Sequence, residues 1–96
     1  MAYDPGAIDA ALAAAVGDEP ALIAELRLAF VESAERALAA LELATTRDDW
    51  REAASRLKGL AASFGAVRLM ALAAQAADLP NDPIVLAKLR RSVARL

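Results

Sequence analysis

Apolar residues recur at intervals of three and four along nearly the whole chain, and polar punctuation cuts that pattern into five stretches. The first predicted helix, residues 5–16, opens at Asp4-Pro5, a cap residue followed by proline at the first helical position. It carries Ile8, Leu12 and Val16 four apart and closes at Gly17. The second starts near Asp18-Glu19-Pro20 and runs to Ala44, with Ile23, Leu26, Phe30, Ala34, Ala37, Leu41 and Ala44 on one stripe. Its charged residues Glu25, Glu32, Glu35, Arg36 and Glu42 lie mostly off that stripe. The third, 48–63, follows Thr46 and Asp49 at capping-box spacing and buries Trp50, Ala54, Leu57, Ala61 and Phe64 before Gly65 ends it. The Asp48 and Asp49 carboxylates are expected as caps. The fourth, 66–79, uses Leu69, Leu72, Ala73, Ala76 and Leu79. The turn Leu79-Pro80-Asn81-Asp82-Pro83 leads into the fifth, 83–95, with Ile84, Leu86, Leu89 and Val93.

Short connections between amphipathic helices favour antiparallel neighbours. The expected fold is therefore all-α: an antiparallel up-down-up-down four-helix bundle built from the second to fifth helices. A short extra N-terminal helix lies across one end. Residues 1–96 read as one domain, with no linker, repeat or low-complexity segment. Composition agrees: 27 alanines and 15 leucines among 96 residues, against only four aromatics, favour helix over strand. Alanine-rich seams also let helix axes approach closely.

Composition removes much chemistry. Without cysteine there is no disulfide, thiolate metal site or thiol nucleophile. Without histidine there is no imidazole base, imidazole ligand or Ser-His-Asp triad. No carboxylate pair has the neighbours that catalysis or metal binding needs, so no enzyme activity, metal or cofactor is expected. There is no signal-peptide pattern and no apolar run long enough to span a membrane, which implies a cytoplasmic protein, expected as a monomer. Net charge is -2, which argues against nucleic acid as a partner, but it is unevenly divided. Residues 1–49 hold ten acids and three bases; residues 50–96 hold three acids and eight bases. The run Lys88, Arg90, Arg91 and Arg95 reads as a solvated face aided by the helix C-terminal dipole.

The informative feature lies on the third helix. Opposite the Trp50/Leu57/Phe64 stripe, residues Arg51, Ser55, Lys58, Gly59 and Ala62 are each linked to another of the set at a spacing of three or four, forming one exposed strip. A mid-helix glycine costs about 1 kcal/mol against alanine, a residue this sequence uses freely. Either something approaches the backbone at Gly59, beside the Lys58 cation, or Gly59 packs under the first helix or is simply tolerated.

The segment Ser55-Arg56-Leu57-Lys58-Gly59-Leu60-Ala61-Ala62-Ser63-Phe64-Gly65, with Leu69 and Leu72 after it, resembles the signature of histidine-containing phosphotransfer (Hpt) domains. Val16-Gly17-Asp18 ahead of Leu22, Leu26 and Phe30, and Asp49-Trp50 ahead of the third helix, extend the resemblance over most of the chain. It implies a four-helix phosphorelay module whose partner is a response-regulator receiver domain or the receiver of a hybrid kinase. It also implies that Lys58 helps position a phosphoryl group and that Gly59 lets the receiver's loops come close.

One departure changes the expected function. Ser55 stands where the family carries its phosphoaccepting histidine, and no other histidine exists to replace it. A hydroxyl with no base is a poor nucleophile, and a serine phosphoester would be too stable to return its phosphoryl. The expectation is a pseudo-phosphotransfer module that docks a receiver without carrying phosphate. Its docking residues are Ser55, Lys58, Gly59, Ala62, Arg51 and Arg56, with Ile8 and Leu12 as an apolar rim or as the staple of the first helix. From the fourth helix, Gln75 is the polar residue available near Ser55, Ala77 being apolar. The alternatives are a structural scaffold or dimerisation module with no receiver partner, or an active phosphotransferase engineered from histidine to serine.

Overall fold

The computed structural model describes residues 5–17 and 19–96, with side chains from residue 10 onward. These contain five helices and no strand: α1 (Pro5–Val16), α2 (Pro20–Leu43), α3 (Arg47–Ser63), α4 (Val67–Ala77) and α5 (Pro83–Ala94). Asp4 and Asp18, expected at the starts of the first two helices, lie outside the described residues.

The helix ends follow from local chemistry. Gly17 and Gly65 take left-handed backbone angles, φ 80° and 70°, that a side chain would strain. At the end of α3 the Gly65 N–H donates to Ala62 O and the Ala66 N–H to Ala61 O, at 3.3 and 2.9 Å. That pair of bonds is a Schellman motif, and buried Ala66 returns onto buried Ala61 beneath it. Thr46, in extended backbone, caps α3 by accepting from the Asp49 N–H at 3.0 Å. Asp48 and Asp49 therefore lie inside the first turn of α3, where their charge suits the helix dipole. Asp82 caps α5, its Oδ1 accepting from the Ile84 and Val85 N–H groups at 2.8 and 3.1 Å, with Pro83 at the first helical position.

Helices α2 to α5 form a closed ring of neighbours in chain order: α2 packs on α3, α3 on α4, α4 on α5, and α5 back on α2. Three contacts set the register. The Phe30 ring, near the middle of α2, stacks on Phe64, which follows the last residue of α3, centroids 4.6 Å apart. Trp50, at the start of α3, is buried and donates its indole N–H to Ala76 O near the end of α4, at 2.7 Å. Arg90 of α5 directs both Nε and Nη2 at Glu42 Oε2 of α2, each 2.7 Å away. The core between them takes Phe30, Ala34 and Leu41 from α2, Leu57 and Ala61 from α3, Leu69 and Ala76 from α4, and Val85, Leu89 and Val93 from α5. α1 packs against α2 and buries Leu12 in the same core.

Two expected core residues turn outward. Ile84 is 68% exposed, and Val85 takes the buried place instead. Leu79 is 38% exposed because α4 ends at Ala77, leaving Leu79 in the turn. No described helix is long and apolar enough to cross a membrane.

Candidate functional site

α3 presents its buried face, Trp50, Ala53, Ala54, Leu57 and Ala61, to the core, and the opposite face to solvent. Arg51, Ser55, Lys58, Gly59 and Ala62 are all exposed on that outer face, so the helix brings five of the sequence-predicted residues onto one surface. Trp50 fixes the pitch of this surface. Its indole bond to Ala76 holds the start of α3 against α4, and the buried Leu57 and Ala61 hold the rest.

A β-carbon built at Gly59 would meet no described atom within 4 Å, so among the described residues nothing requires glycine there. Open space lies above the backbone one turn before the end of α3. Ser63, one turn later, donates its hydroxyl to Gly59 O at 3.0 Å and is thereby committed to the helix backbone. Ser55 makes no such bond among the described residues, nor does Arg51 or Lys58 form an ion pair there.

The remaining predicted residues lie elsewhere. Arg56 points along the α2 side of α3. It pairs with Glu52 at 3.7 Å and lines a groove of about 240 Å³ with Ala40, Leu43 and Ala44 at the end of α2. Leu12 is 4% exposed, so its surface serves as a staple and offers no rim. The side chain of Ile8 lies outside the described residues. Gln75 is exposed on α4 and Ala77 is half-buried. The α2–α3 groove went unforeseen in the sequence. Its one signal is Leu43, an apolar residue off the α2 stripe just before Thr45-Thr46, which proves 79% exposed.

Among the described residues, no group of three or more histidine, cysteine or carboxylate side chains is placed to hold a metal ion. What the α3 surface offers is two cations without an ion pair among the described residues, a hydroxyl and a bare stretch of helix backbone.

The family model for the Hpt domain matches residues 25–96, which is 72 of the 96 residues and includes all of α3, α4 and α5. The chain belongs to the Hpt domain family, whose members are phosphorelay signalling modules that interact with receiver domains. Searches of curated proteins and of solved structures returned no match.

Proposed function

We propose that this domain is a non-catalytic Hpt module that docks a receiver domain through the outer face of α3 and does not carry phosphate. The observation that carries the reading is Ser55. By the motif around it, Ser55 corresponds to the family's phosphohistidine; it is exposed, and the sequence contains no histidine to take over. The family's step needs an imidazole nitrogen to attack a receiver's aspartyl phosphate and to hold the phosphoryl in a labile bond. A hydroxyl without a neighbouring base does neither. The docking chemistry survives beside it. Lys58 and Arg51 complement a receiver's acidic phosphorylation pocket, and Gly59 removes the side chain that would hold its loops away.

The same reading takes α2–α5 as the family's up-down-up-down four-helix bundle. The Trp50–Ala76 contact supports this, since it joins the start of α3 to the end of α4. The domain acts as a cytoplasmic monomer that occupies its partner, sequestering it or altering its phosphorylation.

The test is calorimetric titration of the domain with receiver domains from the same organism, alongside Lys58→Glu. Saturable binding at about micromolar Kd, lowered about tenfold or more by the charge reversal, is expected of a cation facing an acidic pocket. Absence of binding to every receiver rejects the proposal in favour of a structural scaffold. A Ser55→His variant sharpens the result. With the docking face intact, the restored imidazole takes phosphoryl from a phosphorylated receiver, while the parent domain takes none.

A further inference from the structure

We infer that the outward side of α4 and α5 is a second interaction surface, which takes an acidic helix of a partner protein. The inference goes beyond the receiver-docking reading and does not rest on it. α3 and α5 make no contact among the described residues, so α5 lies on the far side of the bundle from α3. α4 and α5 pack on each other. Neither Val67–Ala77 nor Pro83–Ala94 contains a carboxylate, while Arg68, Lys88, Arg90, Arg91 and the adjoining Arg95 supply five cations.

Arg90 is turned to Glu42 of α2. The other four form no ion pair among the described residues; Arg68, Arg91 and Arg95 are exposed and Lys88 is half-buried. Helix dipoles account for part of this pattern. Arg91 and Arg95, at the end of α5, suit its negative pole. Lys88 lies in mid-helix, outside the reach of that effect. Arg68 is in the first turn of α4, where the dipole opposes a cation and neither an acid nor a side-chain cap offsets it. A solvated face shaped by stability alone would carry an acid there.

The spacing fits a helix as the occupant. Ile84, Ala87 and Arg91 follow one another at three and four along the outward side of α5, the repeat of a helix-pairing seam, with Lys88 and Arg95 beside it. Ile84 is 68% exposed, an apolar anchor that the bundle does not cover. Ala87 is small enough for a second helix axis to come close. From Ile84 to Arg95 the face runs about 16 Å along the axis, three turns of a partner helix. Carboxylates at the matching flanking positions of that helix meet Lys88, Arg91 and Arg95, and an apolar side chain meets Ile84.

The rest of the molecule disfavours an extended polyanion. Net charge is -2, and α2 exposes Glu25, Glu32, Glu35 and Glu42. A nucleic acid or an anionic bilayer reaches past the patch and meets that acidic part, whereas a short helix stays within a screening length of about 8 Å from the cations. α5 exposes a single large apolar side chain, Ile84, too little to hold a helix in a bilayer. The acids nearest in sequence, Asp78 and Asp82, are in the turn at the Ile84 end, away from Arg91 and Arg95. Asp82 is held there by the Ile84 and Val85 N–H groups.

The experiment is fluorescence anisotropy of the whole chain against a labelled acidic helical peptide, its glutamates repeating at three and four around one leucine, at about 0.05 M salt. Labelled duplex DNA and phosphatidylserine vesicles are titrated beside it. The expected result is saturable peptide binding with a Kd of about 10–100 μM. The variant Arg68→Gln/Arg91→Gln/Arg95→Gln, exposed at all three positions and checked for fold by circular dichroism, should bind about tenfold more weakly, three partly solvated charge contacts being lost together. Ile84→Ser should weaken binding about threefold or more. Lys58→Glu, on α3, should leave it within about twofold.

Absence of peptide binding overturns the inference, and so does binding that the triple variant keeps. Loss in Lys58→Glu as large as in the triple variant overturns it by moving the site to α3. Binding of the DNA or the vesicles more tightly than the peptide gives the face to that polyanion instead and overturns it too. A peptide of the same composition with its glutamates out of helical register should bind more weakly; equal affinity overturns the assignment to a helix. None of these outcomes decides the receiver-docking reading, which the receiver titration tests separately.

Discussion

Gly59 is the residue at which local stability and proposed use conflict most plainly. It lies within the 17-residue α3, one turn before its end, exposed, with no described atom that an added β-carbon would strike. Gly59→Ala should therefore stabilise the domain by about 0.5–1 kcal/mol, measured by urea denaturation, because alanine loses less backbone freedom on folding. The same methyl group protrudes from the docking face, so receiver binding should weaken while stability rises. A loss of stability instead would mean that glycine is needed by the fold. Ser92 presents the opposite case. Its hydroxyl is buried in α5 with no hydrogen-bond partner among the described residues. Ser92→Ala removes a desolvated polar group and should raise stability by about 1 kcal/mol, or the Tm by about 4–8 °C for a chain of this size. Calorimetric melting of the two proteins tests it. Ser92 was not legible in the sequence, because periodicity marks apolar faces and a lone serine within a basic run reads as surface. Ser55 was legible, through the motif around it and the absence of histidine.

At the scale of elements, the α3–α4 pair positions the outer face of α3 proposed for docking, and Trp50 is its anchor. The indole is 1% exposed and its N–H is satisfied by Ala76 O. Trp50→Phe keeps most of the apolar volume but loses that bond and leaves a small void. The cost should be about 1–2 kcal/mol in chemical denaturation, moderated because Ala76 O also accepts from the Leu79 N–H. The carbonyl is thus not orphaned, and a loss several times larger would place Trp50 in a role beyond this contact. Helix stripes and end signals were readable here with little ambiguity. The cap at Thr46, the left-handed Gly65 and the Asp82-Pro83 start of α5 all follow from side-chain chemistry at fixed offsets. What periodicity could not decide was phase at the helix ends. Ile84 and Val85 are adjacent apolar residues, and only the packing of α5 between α2 and α4 selects Val85 for the core. The groove beside Leu43 belongs to the same class. It arises where two helices diverge at a connection, a property of neither helix alone.

For the whole molecule, the uneven charge matters more than the net -2. The acidic excess lies in residues 1–49 and the basic excess in residues 50–96, so most of α3, with the face proposed for docking, belongs to the positive half. On the docking proposal, a field of that sign would pull an acidic receiver pocket toward α3 and push it away from the acid-rich outer residues of α2. Steering of this kind acts on encounter more than on the finished contact. Raising ionic strength from about 0.01 M to 0.15 M shortens the screening length from about 30 Å to 8 Å, which removes most attraction beyond direct contact. The association rate constant for a receiver should therefore fall about tenfold over that range in stopped-flow or surface-binding kinetics, with the dissociation rate constant changing far less. Lys58→Gln should flatten the salt dependence, since it deletes a cation from the centre of the face. A salt dependence carried chiefly by dissociation would instead assign the charges to close contacts in the complex. An association rate indifferent to salt would mean that apolar surfaces, such as Ala62 and the exposed Val67 at the start of α4, guide the encounter.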